Sequence, residues 1–263
     1  MRVIVLAVLL AFPLLAQLAP PDPSGISMGH FHIITPDPDG QKKVWVDALQ
    51  GEFLKSGPLE FAVFPGVLIG FRKGEARGGT EGSVVDHLGF AVRDLAGTKA
   101  RLIAAGVRIT REAPEQSQFF AQFPDGVLVE FTGDPQLDAP VKHHHLHLAS
   151  NQIDDMRAWY VKVFGAAPGM RGRFKAAGLP GVNLSWKTAG APPVPTKGRC
   201  LDHIGLEVAG LKAFCAKLEA SGVKLDAPVA TRPDLGLTIA FLTDPWGTRI
   251  ELTEGLSKLA NGK

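Results

Sequence analysis

Cysteine is scarce: two residues, Cys200 and Cys215, in a chain of 263. That rules out a disulfide framework. Cys215 falls with Leu211, Phe214 and Leu218 on the apolar face of a helical pattern and reads as a small buried hydrophobe, a single Cys200–Cys215 bridge being the alternative. Tyrosine is scarcer still, with Tyr160 alone, which restricts any proton-transfer chemistry to other side chains. Charge of one sign is also missing. Lys plus Arg total 28 against 26 for Asp plus Glu, so no basic excess exists to neutralise a run of phosphates, and nucleic acid is not expected as a partner. Long apolar runs are absent too. The longest, from Val3 to Ala16, is broken by Pro13 and is shorter than the roughly 20 residues a spanning helix needs.

That run follows Met1 and Arg2 and leads into the small-residue stretch Ala16-Gln17-Leu18-Ala19, the pattern of a secretory leader. Residues 1–19 are therefore read as a signal segment, with cleavage after Ala16 preferred, and 20–27 as a Pro-rich tether. The expectation is an exported protein, periplasmic or secreted, with no membrane attachment after cleavage. The whole chain is 45% hydrophobic, ample for a core, and its 30 Gly and 20 Pro suit many short strands.

Internal repetition organises what is left. Val85-Asp86-His87-Leu88-Gly89-Phe90-Ala91-Val92 recurs 116 residues later as Leu201-Asp202-His203-Ile204-Gly205-Leu206-Glu207-Val208. Weaker copies open at Gly29-His30-Phe31-His32-Ile33 and His144-His145-Leu146-His147-Leu148. Each opening strand precedes a helical stretch (44–49, 95–105, 153–164 and 211–220) and then short apolar runs split by Gly and Pro. The fold class is thus α+β, with four β-α-β-β-β units paired two by two into cupped-sheet domains. The expected boundaries are 28–133 and 143–256, with a linker at 134–142 and a tail at 257–263.

All eight histidines lie in or beside the four opening strands. Strand alternation puts His30 with His32, and His145 with His147, on one face, while Phe31, Ile33, Leu146 and Leu148 take the helix side. His87, His203 and Glu207 follow the same parity, as do Glu130 and Glu251 on the closing strands, whereas His143 and His144 are read as linker residues. His30 to His87 spans 57 residues and His87 to Glu130 spans 43, against 58 and 48 for His145, His203 and Glu251. Two imidazoles and one carboxylate per half, on one face with positions left open, suit Fe(II), with Mn(II) or Zn(II) as the other choices.

At these residues the sequence resembles the vicinal oxygen chelate superfamily, which includes glyoxalase I, extradiol dioxygenases, and fosfomycin- and bleomycin-resistance proteins. The most specific stretches are Asp86-His87-Leu88-Gly89, Asp202-His203-Ile204-Gly205 and Asp244-Pro245-Trp246-Gly247-Thr248-Arg249-Ile250-Glu251. The resemblance implies paired units closing a cup around a divalent metal, with ligand positions at His30, His87 and Glu130 and at His145, His203 and Glu251. It also implies a small-molecule substrate with neighbouring oxygens, and allows a homodimer.

Two departures narrow the reading. The places where glyoxalase I has a second carboxylate are Gly70 and Ser185, and the tyrosine of the extradiol pattern is Phe241, with Asn183 and Ser185 where an acid–base histidine would stand. A metal-dependent, dioxygenase-like enzyme is expected, with His147, His32 or Glu207 as the substitute acid or base. A metal-free ligand-binding module and a glyoxalase-type lyase or isomerase are the alternatives.

Overall fold

A computed structural model describes residues 18–260. The proposed leader therefore lies almost wholly outside the described residues. Four units of the expected order are present. The first comprises β1 (Ile26–Thr35), α1 (Pro38–Lys42) with a continuing π-helical turn (Lys43–Ala48), β2 (Glu52–Ser56), β3 (Leu59–Phe64) and β4 (Val67–Lys73). The second has β5 (Val85–Val92), α2 (Leu95–Ala104), β6 (Arg108–Ala113), β7 (Gln118–Gln122) and β8 (Leu128–Gly133). The third has β9 (Val141–Ala149), α3 (Ile153–Phe164), β10 (Ala167–Arg171), β11 (Phe174–Leu179) and β12 (Val182–Lys187). The fourth has β13 (Leu201–Val208), α4 (Leu211–Ala220), β14 (Ala227–Arg232), β15 (Leu237–Thr243) and β16 (Arg249–Glu254), and a short α5 (Leu256–Ala260) follows.

Local chemistry sets the helix ends. Asp37 and Asp94 each cap a helix by accepting a hydrogen bond from the backbone amide three residues on. Gly165 takes the left-handed conformation (φ 70°) that ends α3.

The pairing of units differs from the sequence expectation. One eight-stranded sheet runs β14-β15-β16-β13-β1-β4-β3-β2, and the other runs β10-β11-β12-β9-β5-β8-β7-β6. The first unit therefore shares a sheet with the fourth, and the second with the third. Blocks 28–133 and 143–256 do not each form a cup. An opening strand has one edge occupied by the last strand of its own unit, in parallel, as β1 by β4 and β5 by β8. Its other edge needs a partner. β1 takes β13 and β5 takes β9, both antiparallel. The presumed linker joins β8 to β9 within one sheet, and Val141 and Lys142 already belong to β9, as do His143 and His144.

The chain crosses between sheets in segments 74–84 and 188–200, which bond to each other. Val84 donates its amide to the Val194 carbonyl, Val194 to that of Gly82, and Cys200 to that of Gly78.

The helices and the helix-side faces of both sheets form one apolar core. Trp45 is fully buried and meets Phe64 of its own unit and Phe90 and Phe123 of the next. Its indole N–H donates to Gln41 at 2.9 Å, so the ring is buried with its polar atom satisfied. Consecutive units thus meet through the helix layer while the cups form between non-consecutive ones.

The ends are also more structured than expected. Leu18 is buried against Phe61, Leu237 and Leu256, and Ile26 and Ser27 of the presumed tether are buried in β1. The presumed tail begins inside α5. Both cysteines are buried and unbridged, and burial pushes the Cys200 thiol up to about 12. Among the described residues no helix is long and apolar enough to cross a membrane.

Candidate metal centres

The new pairing re-sorts the candidate ligands. His30 and His32 on β1 meet His203 on β13 and Glu251 on β16, while His145 and His147 on β9 meet His87 on β5 and Glu130 on β8. The expected triads exchange their first members as a result. His30 belongs with His203 and Glu251, and His145 with His87 and Glu130.

In the first cluster a Glu251 carboxylate oxygen lies 2.8 Å from His203 Nε2 and 3.2 Å from His30 Nε2. The His32 ring stacks on His203 with centroids 4.6 Å apart. The second cluster repeats this arrangement. Glu130 lies 3.0 Å from His87 Nε2 and 3.4 Å from His145 Nε2, and His147 stacks on His87 at 4.5 Å. Donor atoms of His87, Glu130, His145 and His147 all fall within 4.8 Å of one another, as do those of His30, His32 and His203.

Two features prepare these donors. Asp202 accepts from His203 Nδ1 at 2.7 Å and Asp86 from His87 Nδ1 at 2.6 Å, which leaves each Nε2 facing its cluster as a lone pair or a proton site. A carboxylate behind a metal-binding imidazole fixes its tautomer and raises its basicity. Asp202 is held by the Gly198 amide and Arg249, and Asp86 by Lys187. Glycine supplies the second feature. Gly205 sits across the strand pair from His30, and Gly89 from His145. A Cβ at either position would overlap the facing imidazole ring. The Asp-His-x-Gly motif therefore encodes one donor, its orienting acid and the space for a donor from the partner unit.

Electrostatics agree with a cation between these groups. Burial opposes ionisation of Glu130, but His145 and His87 on its oxygen outweigh that and hold it well below the carboxylate range. Glu251 is held down in the same way by His203 and His30. Burial would lower His87 and His203, yet their paired carboxylates raise both. Burial dominates at His145 and His147, lowering them to about 3 and about 2, so both are neutral near pH 7. A neutral imidazole is the form that binds metal. His32 Nε2 and His145 Nε2 are moreover buried without a hydrogen-bond partner. Orphaned acceptors beside a buried carboxylate fit a bound divalent cation, because a site without one leaves their desolvation uncompensated.

Of the expected acid–base residues, His32 and His147 join the clusters and Glu207 does not. The Glu207 carboxylate accepts from the amides of Gly255, Leu256 and Ser257 and from the Ser257 hydroxyl, which anchors α5. Sequence reasoning passed over Asp86 and Asp202 as orienting acids, although both stood in the quoted repeat. It also passed over Arg171, whose Nη2 lies 2.7 Å from His147 Nε2.

The surroundings of the clusters differ. A cavity of about 120 Å³ opens beside His30, His32 and Glu251, walled by Leu59, Phe61, Leu237, Ile239 and Leu256. A larger cavity of about 310 Å³, between α3 and α4, touches neither cluster and contains no carboxylate or imidazole. The donor geometry therefore outweighs cavity size in locating the chemistry.

Residues 142–252 match the model of the Glyoxalase/Bleomycin resistance protein/Dioxygenase superfamily. No curated protein matches the chain. Glyoxalase I from Zea mays is similar in structure, with 18% identity, 90% of this chain and 95% of that one covered, and a TM-score of 0.69. A candidate dioxygenase from Bacillus subtilis has 17% identity, with 91% and 86% covered and a TM-score of 0.68. At such identities the likeness is one of fold.

Proposed function

We propose that this chain, whose residues 142–252 match the model of the glyoxalase, bleomycin-resistance and dioxygenase superfamily, belongs to that superfamily and is a divalent-metal-dependent enzyme with two centres. Its substrate is a small molecule with vicinal oxygens, and its chemistry is dioxygenase-like. The observation that carries this reading is the repeated arrangement of two imidazoles on one carboxylate with a third imidazole stacked beside them, His32 Nε2 in one set and His145 Nε2 in the other being buried without a hydrogen-bond partner. Fe(II) is favoured by this nitrogen-rich donor set, and Mn(II) and Zn(II) also suit it. Bound there, the metal supplies Lewis acidity toward chelating oxygens.

The protein groups have separable roles. His30, His203 and Glu251 hold the first centre, and His145, His87 and Glu130 the second. Asp202 and Asp86 keep the histidines in register. His32, whose imidazole burial keeps neutral, stacks on His203 at the edge of the first cluster and is the acid–base candidate there. The leucine, isoleucine and phenylalanine wall beside it excludes water and favours an apolar substrate body. A glyoxalase-type isomerisation is disfavoured because Gly70 lies beside His32 and Ser185 beside His147, neither supplying a second carboxylate.

Metal analysis of the purified protein tests the proposal. Two metals per chain are expected, falling to one in His203→Ala and to one in His87→Ala. Wild-type metal content in both variants would remove these clusters as metal sites. Wild-type protein without metal that still binds ligand in the cavity would establish the binding-module reading instead.

A further inference from the structure

The two clusters share their donors but differ in one neighbour. Positions 115 residues apart correspond, His30 with His145 and His32 with His147. At that offset Arg171, Ser185, Asn183 and Ala176 stand where the first centre has Ser56, Gly70, Leu68 and Phe61. The strand registers match, since His147 pairs with Ser185 as His32 pairs with Gly70, and Arg171 with Phe174 as Ser56 with Leu59. The second centre therefore has a polar chain on the side where the first has an apolar wall.

Arg171 is the charged member of that chain. Its Nη2 meets His147 Nε2 at 2.7 Å, and its Nε donates to the Ser185 hydroxyl at 3.0 Å, which in turn donates to Asn183. A guanidinium only donates, so His147 Nε2 accepts and its ring proton is on Nδ1. That nitrogen is buried without a partner. Both neighbours of the guanidinium are neutral, and no carboxylate forms an ion pair with it among the described residues. Glu130, in the same cluster, is hydrogen-bonded to His87 Nε2 at 3.0 Å. The result is a half-buried cation with unused donors and no counter-ion, beside a candidate metal centre. Its fork suits a planar carboxylate. At the first centre the cavity-rim arginine, Arg232, is instead paired with Asp234 at 3.3 Å.

We propose that Arg171 binds the carboxylate of a ligand whose neighbouring oxygen is directed at the second centre, so that the two centres accept ligands of different charge. The metal-facing half of this proposal rests on the function proposed above. The anion-binding half rests on Arg171 alone.

The test uses 2-hydroxybenzoate and its neutral counterpart 2-hydroxybenzamide as probes. Calorimetric titrations are run on the full chain, metal-loaded and chelator-stripped, with metal content measured in each sample. Wild type is expected to prefer the acid. Arg171→Gln should weaken the acid by roughly 10-fold or more while leaving the amide unchanged, and Arg171→Lys should recover only part of the loss. A thermal melt of each variant establishes that it folds, and Arg171→Met serves as the second variant if Arg171→Gln does not. No preference for the acid in wild type, or a preference that survives loss of the guanidinium, overturns the proposal. An Arg171-dependent preference in protein that never binds metal would sustain the anion site while refuting the metal centres.

Discussion

Gly205→Ala and Gly89→Ala isolate the metal centres with one methyl group each. Cβ atoms there cannot coexist with the rings of His30 and His145 as placed. His145 is completely buried and His30 nearly so, hence each ring must leave its position instead of sliding slightly within it. A tetrahedral site holding zinc by roughly 10–16 kcal/mol averages about 2.5–4 kcal/mol per donor. Loss of one donor then weakens metal binding by roughly 10²–10³-fold. The added methyl in a packed strand pair costs about 1–3 kcal/mol of stability as well. Gly178→Ala is the control, because a Cβ on Gly178 meets nothing.

The assay is metal stoichiometry after dialysis, with affinity from competition against a chromophoric chelator. Each cluster variant should retain one metal per chain, the control should retain two, and the double variant none. Two tightly bound metals in the double variant would show that neither His30 nor His145 is a ligand.

Asp202→Asn leaves His203 in place but removes its orienting charge, and metal affinity at the first centre should fall about 10–100-fold, read by the same competition. Tyr160→Phe removes the 2.9 Å hydrogen bond to buried Asp244 and should cost about 1–3 kcal/mol in denaturant unfolding at pH 7. Burial raises the Asp244 pKa despite its amide and hydroxyl donors, so the stability it contributes is full below its unfolded value and lost as pH rises through the folded one. The Tyr160→Phe deficit should therefore shrink as pH is lowered through the acid range, and a deficit that grows would contradict this. Trp45→Ala should cost about 3–5 kcal/mol in the same assay, since its ring joins two consecutive units. We also expect the mature chain to be exported and to start near Gln17, which retains Leu18 in its buried contact. Intact Met1 on cytosolic protein, found by fractionation and mass measurement, would refute that.

Much of the site could be read before the fold was known. Alternation alone puts His30, His32, His145 and His147 opposite the apolar residues of their strands, and the Asp-His-x-Gly repeat marks two further donors. What could not be read is which unit meets which. All four opening strands show the same face pattern and the same free edge, so periodicity assigns every donor to a face and none to a partner. The information lay in the connections, where the short 134–140 return keeps β8 and β9 in one sheet. Glu207 failed for a different reason. Its parity was right, but amides of residues 255–257 reach its carboxylate from beyond the repeat, a contact no local pattern records.

His143 shows the limit of alternation most clearly. It has the parity of His145 and His147, yet its ring packs on Phe31 and Phe90 in the core, its Nδ1 donates to the Gly181 carbonyl, and burial lowers its pKa to about 4. The cause is a register shift. Gly89 faces His145 while the next residue, Phe90, faces His143, so His144 is an extra residue and the face reverses there. β1 carries the matching irregularity between Met28 and His30, with Gly29 as the extra residue. Bulges re-aim side chains, and both of these fall immediately before the first cluster imidazole of their strand, His30 in β1 and His145 in β9. The two centres are thus set by the same pair of devices: a bulge that turns the histidine toward the cup, and a glycine on the facing strand that leaves room for its ring.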